Sequence, residues 1–176
     1  MKINKILLLL FLLAIVQKLP GKDGLSNQLI FFKPYIGKTF KGKMINSKIH
    51  KNLYELRSWD IALNGMAIRM IYSVNDNEYA GEAFILWDEK TESLNSWHFN
   101  TSQTVVNKTV DLLNESIVFI EDVSNNKNGI TKVKTIYNFI YNGKLQSRTR
   151  FLMDNIWVDG AEIIYEEIFT NMNSNK

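Results

Sequence analysis

Glu82 and His98 are the side chains of this sequence best suited to moving a proton. Both stand in Tyr79-Ala-Gly-Glu-Ala-Phe-Ile-Leu-Trp-Asp88 and the strand-like run that follows it, among aromatic and aliphatic residues. A carboxylate turned into an apolar interior has a raised pKa and serves as an acid or base. An imidazole titrates near neutrality. Either group would suit an isomerase or a hydrolase. Arg57 beside Tyr72 would hold a carboxylate at a rim, and Trp59, Met70, Phe84, Trp97 and Phe99 are the kind of residue that walls a small-molecule cavity. The candidate ligand-binding set is therefore Arg57, Trp59, Met70, Tyr72, Glu82, Phe84, Trp97 and Phe99, with Glu82 and His98 as the catalytic candidates. Each has a plainer structural reading: Glu82 wetted at a barrel mouth, His98 hydrogen-bonded at a surface, and the aromatics as core.

Other chemistries find no support. The chain has no Cys and only two His, His50 and His98, which are too few and too far apart for a transition-metal site. It contains no Gly-x-Ser-x-Gly elbow, phosphate-binding Gly-rich loop or His-Glu-x-x-His. No cofactor is indicated. The formal charge of +3 belongs to the leader: without Lys2, Lys5 and Lys18 the basic residues equal the 18 acidic ones. Nucleic-acid binding needs a basic stripe, and Lys38-Thr-Phe-Lys-Gly-Lys43 reads instead as a solvated strand edge. Triplets at Asn100, Asn107 and Asn114 match the glycosylation pattern, as an Asn-rich chain does by chance.

The candidates have to be positioned by strands. Only two Pro and nine Gly interrupt a chain rich in Ile, Val, Thr, Tyr and Phe. Asn64-Gly65 is the strongest two-residue hairpin signal, and it sets Ile61 opposite Ile68, Trp59 opposite Met70 and Arg57 opposite Tyr72 on one face, with Ala62 opposite Ala67 and Asp60 opposite Arg69 on the other. The first face should point inward. The central hairpin, 79–87 and 93–99, groups Glu82, Phe84, Leu86, Trp97 and Phe99 on one face if its loop is even, and Ile85, Trp87, Leu94, Ser96 and His98 on the other. Further strands are expected at 39–47, 103–111, 117–122, 130–141, 144–153 and 161–169. A second turn at Asn142-Gly143 would pair Ile140 with Leu145 and Tyr137 with Arg148, with the inner face left open.

Residues 1–16 carry two lysines and an apolar run from Ile6 to Val16, too short for a bilayer, which takes about 20 apolar residues, and fitting a secretory signal. Residues 1–21 are thus expected to be a signal peptide, with an uncleaved anchor as the alternative. Residues 22–36 should form a linker and a short helix capped by Ser26 and ending before Pro34, 37–170 the barrel, and 171–176 a disordered tail. The fold class is all-β, an up-and-down antiparallel barrel of about 8–10 strands, exported to the periplasm or the outside. Its only membrane contact would be the leader.

Ile36-Gly-Lys-Thr-Phe-Lys-Gly42, the segment from Tyr79 to Asp88, Trp97, Trp157 and Tyr165 together resemble a group of uncharacterised bacterial lipocalin-like, calycin-like barrels and, more distantly, nitrobindin. The likeness covers roughly residues 28–170. It implies a barrel that holds a small, mostly apolar ligand in its interior; the rival readings are an enzyme on the same barrel and a filled barrel acting as an interaction module. Nitrobindin-like proteins bind haem through a late histidine, and this chain has none after His98.

Overall fold

A computed structural model of the protein describes residues 24–45, 53–124 and 126–169. The proposed leader, the tail and His50 lie outside them. A 3-10 segment, Asn27–Tyr35, precedes ten strands: β1 (Lys38–Ile45), β2 (Tyr54–Ala62), β3 (Ala67–Val74), β4 (Tyr79–Asp88), β5 (Ser93–Asn100), β6 (Val105–Leu113), β7 (Ser116–Asp122), β8 (Ile130–Phe139), β9 (Leu145–Met153) and β10 (Ile156–Ile168). Each strand pairs antiparallel with its sequence neighbour, and β1 pairs with β10, closing the sheet into a barrel. Closure removes the unpaired backbone edges that invite aggregation.

Turn chemistry accounts for much of the order. Asn64 and Gly65 adopt φ of 54° and 86°, and Met66 N–H donates to the Leu63 carbonyl at 3.1 Å. This is the primed turn that right-twisted strands require. The β2–β3 register follows from it: Ile61 opposite Ile68, Trp59 opposite Met70, Arg57 opposite Tyr72 and Asp60 opposite Arg69, as the sequence indicated. Asn114-Glu115 and Asp154-Asn155 make further turns with positive φ at both residues.

Three expectations need correction. The 3-10 segment runs through Pro34 instead of stopping before it, and Ser26 makes no side-chain cap. The Asn142-Gly143 hairpin is one residue out of the expected register, so Phe139 faces Leu145 and Tyr137 faces Ser147, not Arg148. Its loop takes three residues, Tyr141–Gly143, with Ile140 N–H donating to the Lys144 carbonyl at 2.8 Å. Finally, Trp157 and 161–169 belong to one strand. Between Asp159 and Glu162 the pairing to β9 shifts by a bulge, and a Cβ on Gly160 would lie 2.4 Å from the Phe151 ring.

Inward residues alternate with outward ones. Phe40, Trp59, Ile68, Met70, Ile85, Ile117, Phe119, Leu145 and Tyr165 are all buried to 2% exposure or less. The 3-10 segment lays Leu29, Phe32 and Tyr35 across one end of this core, each buried apolar side chain contributing about 1.5–3 kcal/mol. Two backbone bonds fasten it, Ser26 N–H to the Gly65 carbonyl at 2.9 Å and Gly37 N–H to the Trp59 carbonyl at 2.8 Å.

Candidate functional site

The barrel interior carries a charged and tyrosine-rich centre. On β2, residues two apart point the same way, so Glu55, Arg57 and Trp59 form an inward row. Arg57 donates through Nε to Glu55 Oε1 at 2.6 Å and through Nη1 to Met70 Sδ at 2.8 Å; a second guanidinium nitrogen also contacts the same carboxylate. The Arg57 guanidinium carbon lies 5.1 Å from the ring centroids of both Tyr72 and Tyr137. Tyr165 hydroxyl donates to Glu55 Oε1 at 3.0 Å and sits 3.5 Å from the Ser147 hydroxyl.

Burial is the largest influence on Arg57 and works against its charge, but Glu55, Tyr137 and Tyr165 together outweigh it and the pKa is raised. Burial pushes the Tyr137 phenol up to about 12 and raises Tyr165 as well. These phenols therefore stay protonated.

Glycines make room for the tyrosines. A Cβ on Gly42 would lie 2.4 Å from Tyr165 Cδ1, and one on Gly81 would lie 2.4 Å from the Tyr72 hydroxyl. Each ring lies across a strand where only hydrogen can stand.

His98 joins this interior. Its Nε2 is 2.7 Å from the Ser96 hydroxyl, and its ring meets Phe119 edge to face at 5.9 Å. Burial, then the positive charges of Lys108 and Arg57, lowers its pKa to about 3. At neutral pH it is an uncharged hydrogen-bonding group and a weak base. Beyond it, Lys108 pairs with Glu121 at 3.1 Å, both largely screened from solvent.

Of the residues singled out in the sequence, Arg57, Trp59, Met70, Tyr72 and His98 are buried here. Glu82, Phe84, Trp97 and Phe99 are not among them. The even loop holds, with Phe84 opposite Trp97 and Glu82 opposite Phe99, but that face is the outer one. The reason is the register with β3: Met70 and Ile68 point inward, so their partners Ala83 and Ile85 do too, and Glu82 and Phe84 turn out. Large side chains from other strands, Trp59, Tyr165 and Phe119, already enter the lumen, and this wall contributes small residues, Gly81, Ala83 and Ser96. Glu82 consequently pairs with Arg69 at 2.7 Å on the surface, and the hydrogen bonds from Arg69 hold its pKa below the usual value instead of raising it.

Glu55, Tyr137, Tyr165, Ser96, Lys108 and Glu121 were not singled out as site residues. Glu55 was findable, because it stands two residues before Arg57 and so shares its face. Tyr137 and Tyr165 depend on closure of the barrel, which no local pattern reveals.

Buried polar atoms without a hydrogen-bond partner among the described residues include Trp59 Nε1, Tyr35 Oη and Asn138 Oδ1. Tyr35 and Trp59 are ring neighbours, their centroids 5.2 Å apart. Trp59 is fully buried and Tyr35 is 1% exposed.

No family model and no curated protein matches the chain. Among solved structures it is similar to the crystal structure of Rv2717c from M. tuberculosis, at a TM-score of 0.56 and 8% identity, over 82% of this chain and 99% of that one. At that identity the likeness is one of fold, a closed antiparallel barrel.

Proposed function

We propose that the protein is an exported lipocalin-like barrel whose interior binds a small, neutral, mostly apolar molecule bearing one hydrogen-bond acceptor. The observation that carries this is the indole N–H of Trp59, fully buried and without an acceptor among the described residues. A buried donor left unpaired costs about 1–3 kcal/mol, and a carbonyl or ether oxygen on a ligand would relieve it. Neutrality follows from the interior charges. Arg57 is paired with Glu55 and Lys108 with Glu121, so a charged ligand would be desolvated without a free partner. Export rests on the leader at residues 1–16.

Glu82 faces outward and pairs with Arg69 while His98 lies inside the barrel, so an enzyme using Glu82 or His98 on this barrel would have His98 in its interior without Glu82 beside it. A filled barrel acting through its surface is the second reading, favoured by the outward Phe84, Trp97 and Phe99 beside Val105, which is 64% exposed.

Native mass spectrometry of the protein from its own source, before and after exposure to a lipid extract of that source, separates the two. Ligand binding predicts an adduct lost on collisional activation and weakened in Trp59→Phe, which keeps a ring and loses the donor. The bare chain alone under both conditions overturns the binding reading.

A further inference from the structure

Outside the lumen, a recess of about 650 Å³ opens between the 3-10 segment, the β6–β7 turn and the end of β8. Its volume is in the range of small-molecule sites. Phe31, Pro34 and Phe139 wall it, and Lys33 and Glu115, both exposed, bring opposite charges. Tyr35 and Asn138 also line it, and both carry a buried polar atom, Tyr35 Oη and Asn138 Oδ1, with no partner among the described residues. Native proteins leave few such groups unpaired, and here two belong to residues that line one recess.

We propose that this recess is a second binding site, for a small neutral molecule with a flat apolar body and a group that both donates and accepts a hydrogen bond, a hydroxyl or an amide. The flat body matches walls supplied by two phenylalanines and a proline. Asn138 Oδ1 only accepts, so the ligand must bring a donor; the Tyr35 hydroxyl donates or accepts. Burial pushes the Tyr35 phenol up to about 12, so its proton is present across the physiological range. The opposite signs of Lys33 and Glu115 give no preference for an ion. This site is separate from the lumen reading in Phe31, Pro34 and Asn138, with Tyr35 bordering both through its ring 5.2 Å from Trp59.

The test uses phenol as probe, with anisole, which has the same ring and no donor, as its match. Both are titrated into the full-length, isotope-labelled chain while amide chemical shifts are followed. Phenol should shift the Asn138 side-chain amide and the backbone amides of Phe31 and Ser116 saturably, with anisole weaker by about fivefold, the loss of one neutral hydrogen bond. Asn138→Leu should lower phenol to the affinity of anisole. Tyr35→Phe, which keeps the packed ring, should also weaken phenol and stands in if the Asn138 variant fails to fold. Equal affinities, shifts confined to the lumen residues Ser96 and His98, or no saturation would each overturn the proposal. A bare chain in the native mass spectrum leaves this titration unaffected, so the two sites fail separately.

Discussion

Arg57 and Glu55 stand two residues apart on one strand and bond to each other inside the barrel, Nε to Oε1 at 2.6 Å, with side-chain exposures of 7% and 12%. Adjacent inward positions of a single strand thus cancel their own charge. Removing one partner strands a buried ion, which costs about 3–5 kcal/mol, whereas replacing both with apolar residues is often close to neutral. Glu55→Gln should lower the urea midpoint by an amount equivalent to about 3 kcal/mol, and Glu55→Leu combined with Arg57→Met should recover most of it. A double variant as unstable as the single one would show that the pair does more than neutralise itself.

His98 should make stability fall as the solution is acidified. Its folded pKa of about 3 lies below the ordinary value of 6.5, so between those limits the unfolded chain takes up a proton that the folded chain refuses. The contribution is complete above about pH 6.5 and is lost towards pH 3, at up to about 1.4 kcal/mol per pH unit from this group. Urea unfolding at pH 7.5 and 5.5 should show that loss, reduced in His98→Gln. An imidazole that titrates in NMR near pH 6.5 in the folded protein would refute the burial described.

Gly42→Ala should destabilise although alanine favours the folded chain entropically by about 0.4–1 kcal/mol. The new Cβ would stand 2.4 Å from the Tyr165 ring, which is fully buried and held by Glu55. Overpacking of this kind costs about 1–3 kcal/mol, so the clash wins and the melting temperature drops. An unchanged melting temperature would mean that the ring is free to move.

The assignment of inner and outer faces has its own test. Phe119 is 2% exposed and Phe99 is 46% exposed. Phe119→Ala should cost about 3–5 kcal/mol, while Phe99→Thr should stay within about 1 kcal/mol, both by chemical denaturation. Equal losses would contradict the register of β4 and β5.

Local patterns place some of these residues and not others. The Asn64-Gly65 turn was decisive because both its residues accept positive φ and the loop length fixes the pairing, so Arg57, Trp59, Met70 and Tyr72 were placed correctly. The central hairpin was grouped correctly and turned the wrong way. Hydrophobicity alone sends the large aromatics to the interior, yet a barrel interior has finite volume and its small positions are as informative as its large ones. The parity of the four-residue turn at 75–78, which sets Val74 opposite Tyr79 and hence Met70 opposite Ala83, held the answer. At Asn142-Gly143 the same dipeptide closed a three-residue loop, because Tyr141 joined the turn, and the slip of one residue followed. The Tyr137 and Tyr165 contacts to the Arg57–Glu55 centre arise from strands far away in sequence, where no spacing rule reaches.

The seam between the first and last strands has a consequence for how the molecule is made. Thr39 lies opposite Ile168, so the earliest strand to emerge must wait for the last before either is satisfied, and such distant pairings assemble slowly. Until β10 arrives, the free edge of β1 offers bare amides and carbonyls to any neighbour. Closure of the barrel therefore waits on β10, and deleting that strand should yield an aggregate in place of a smaller barrel.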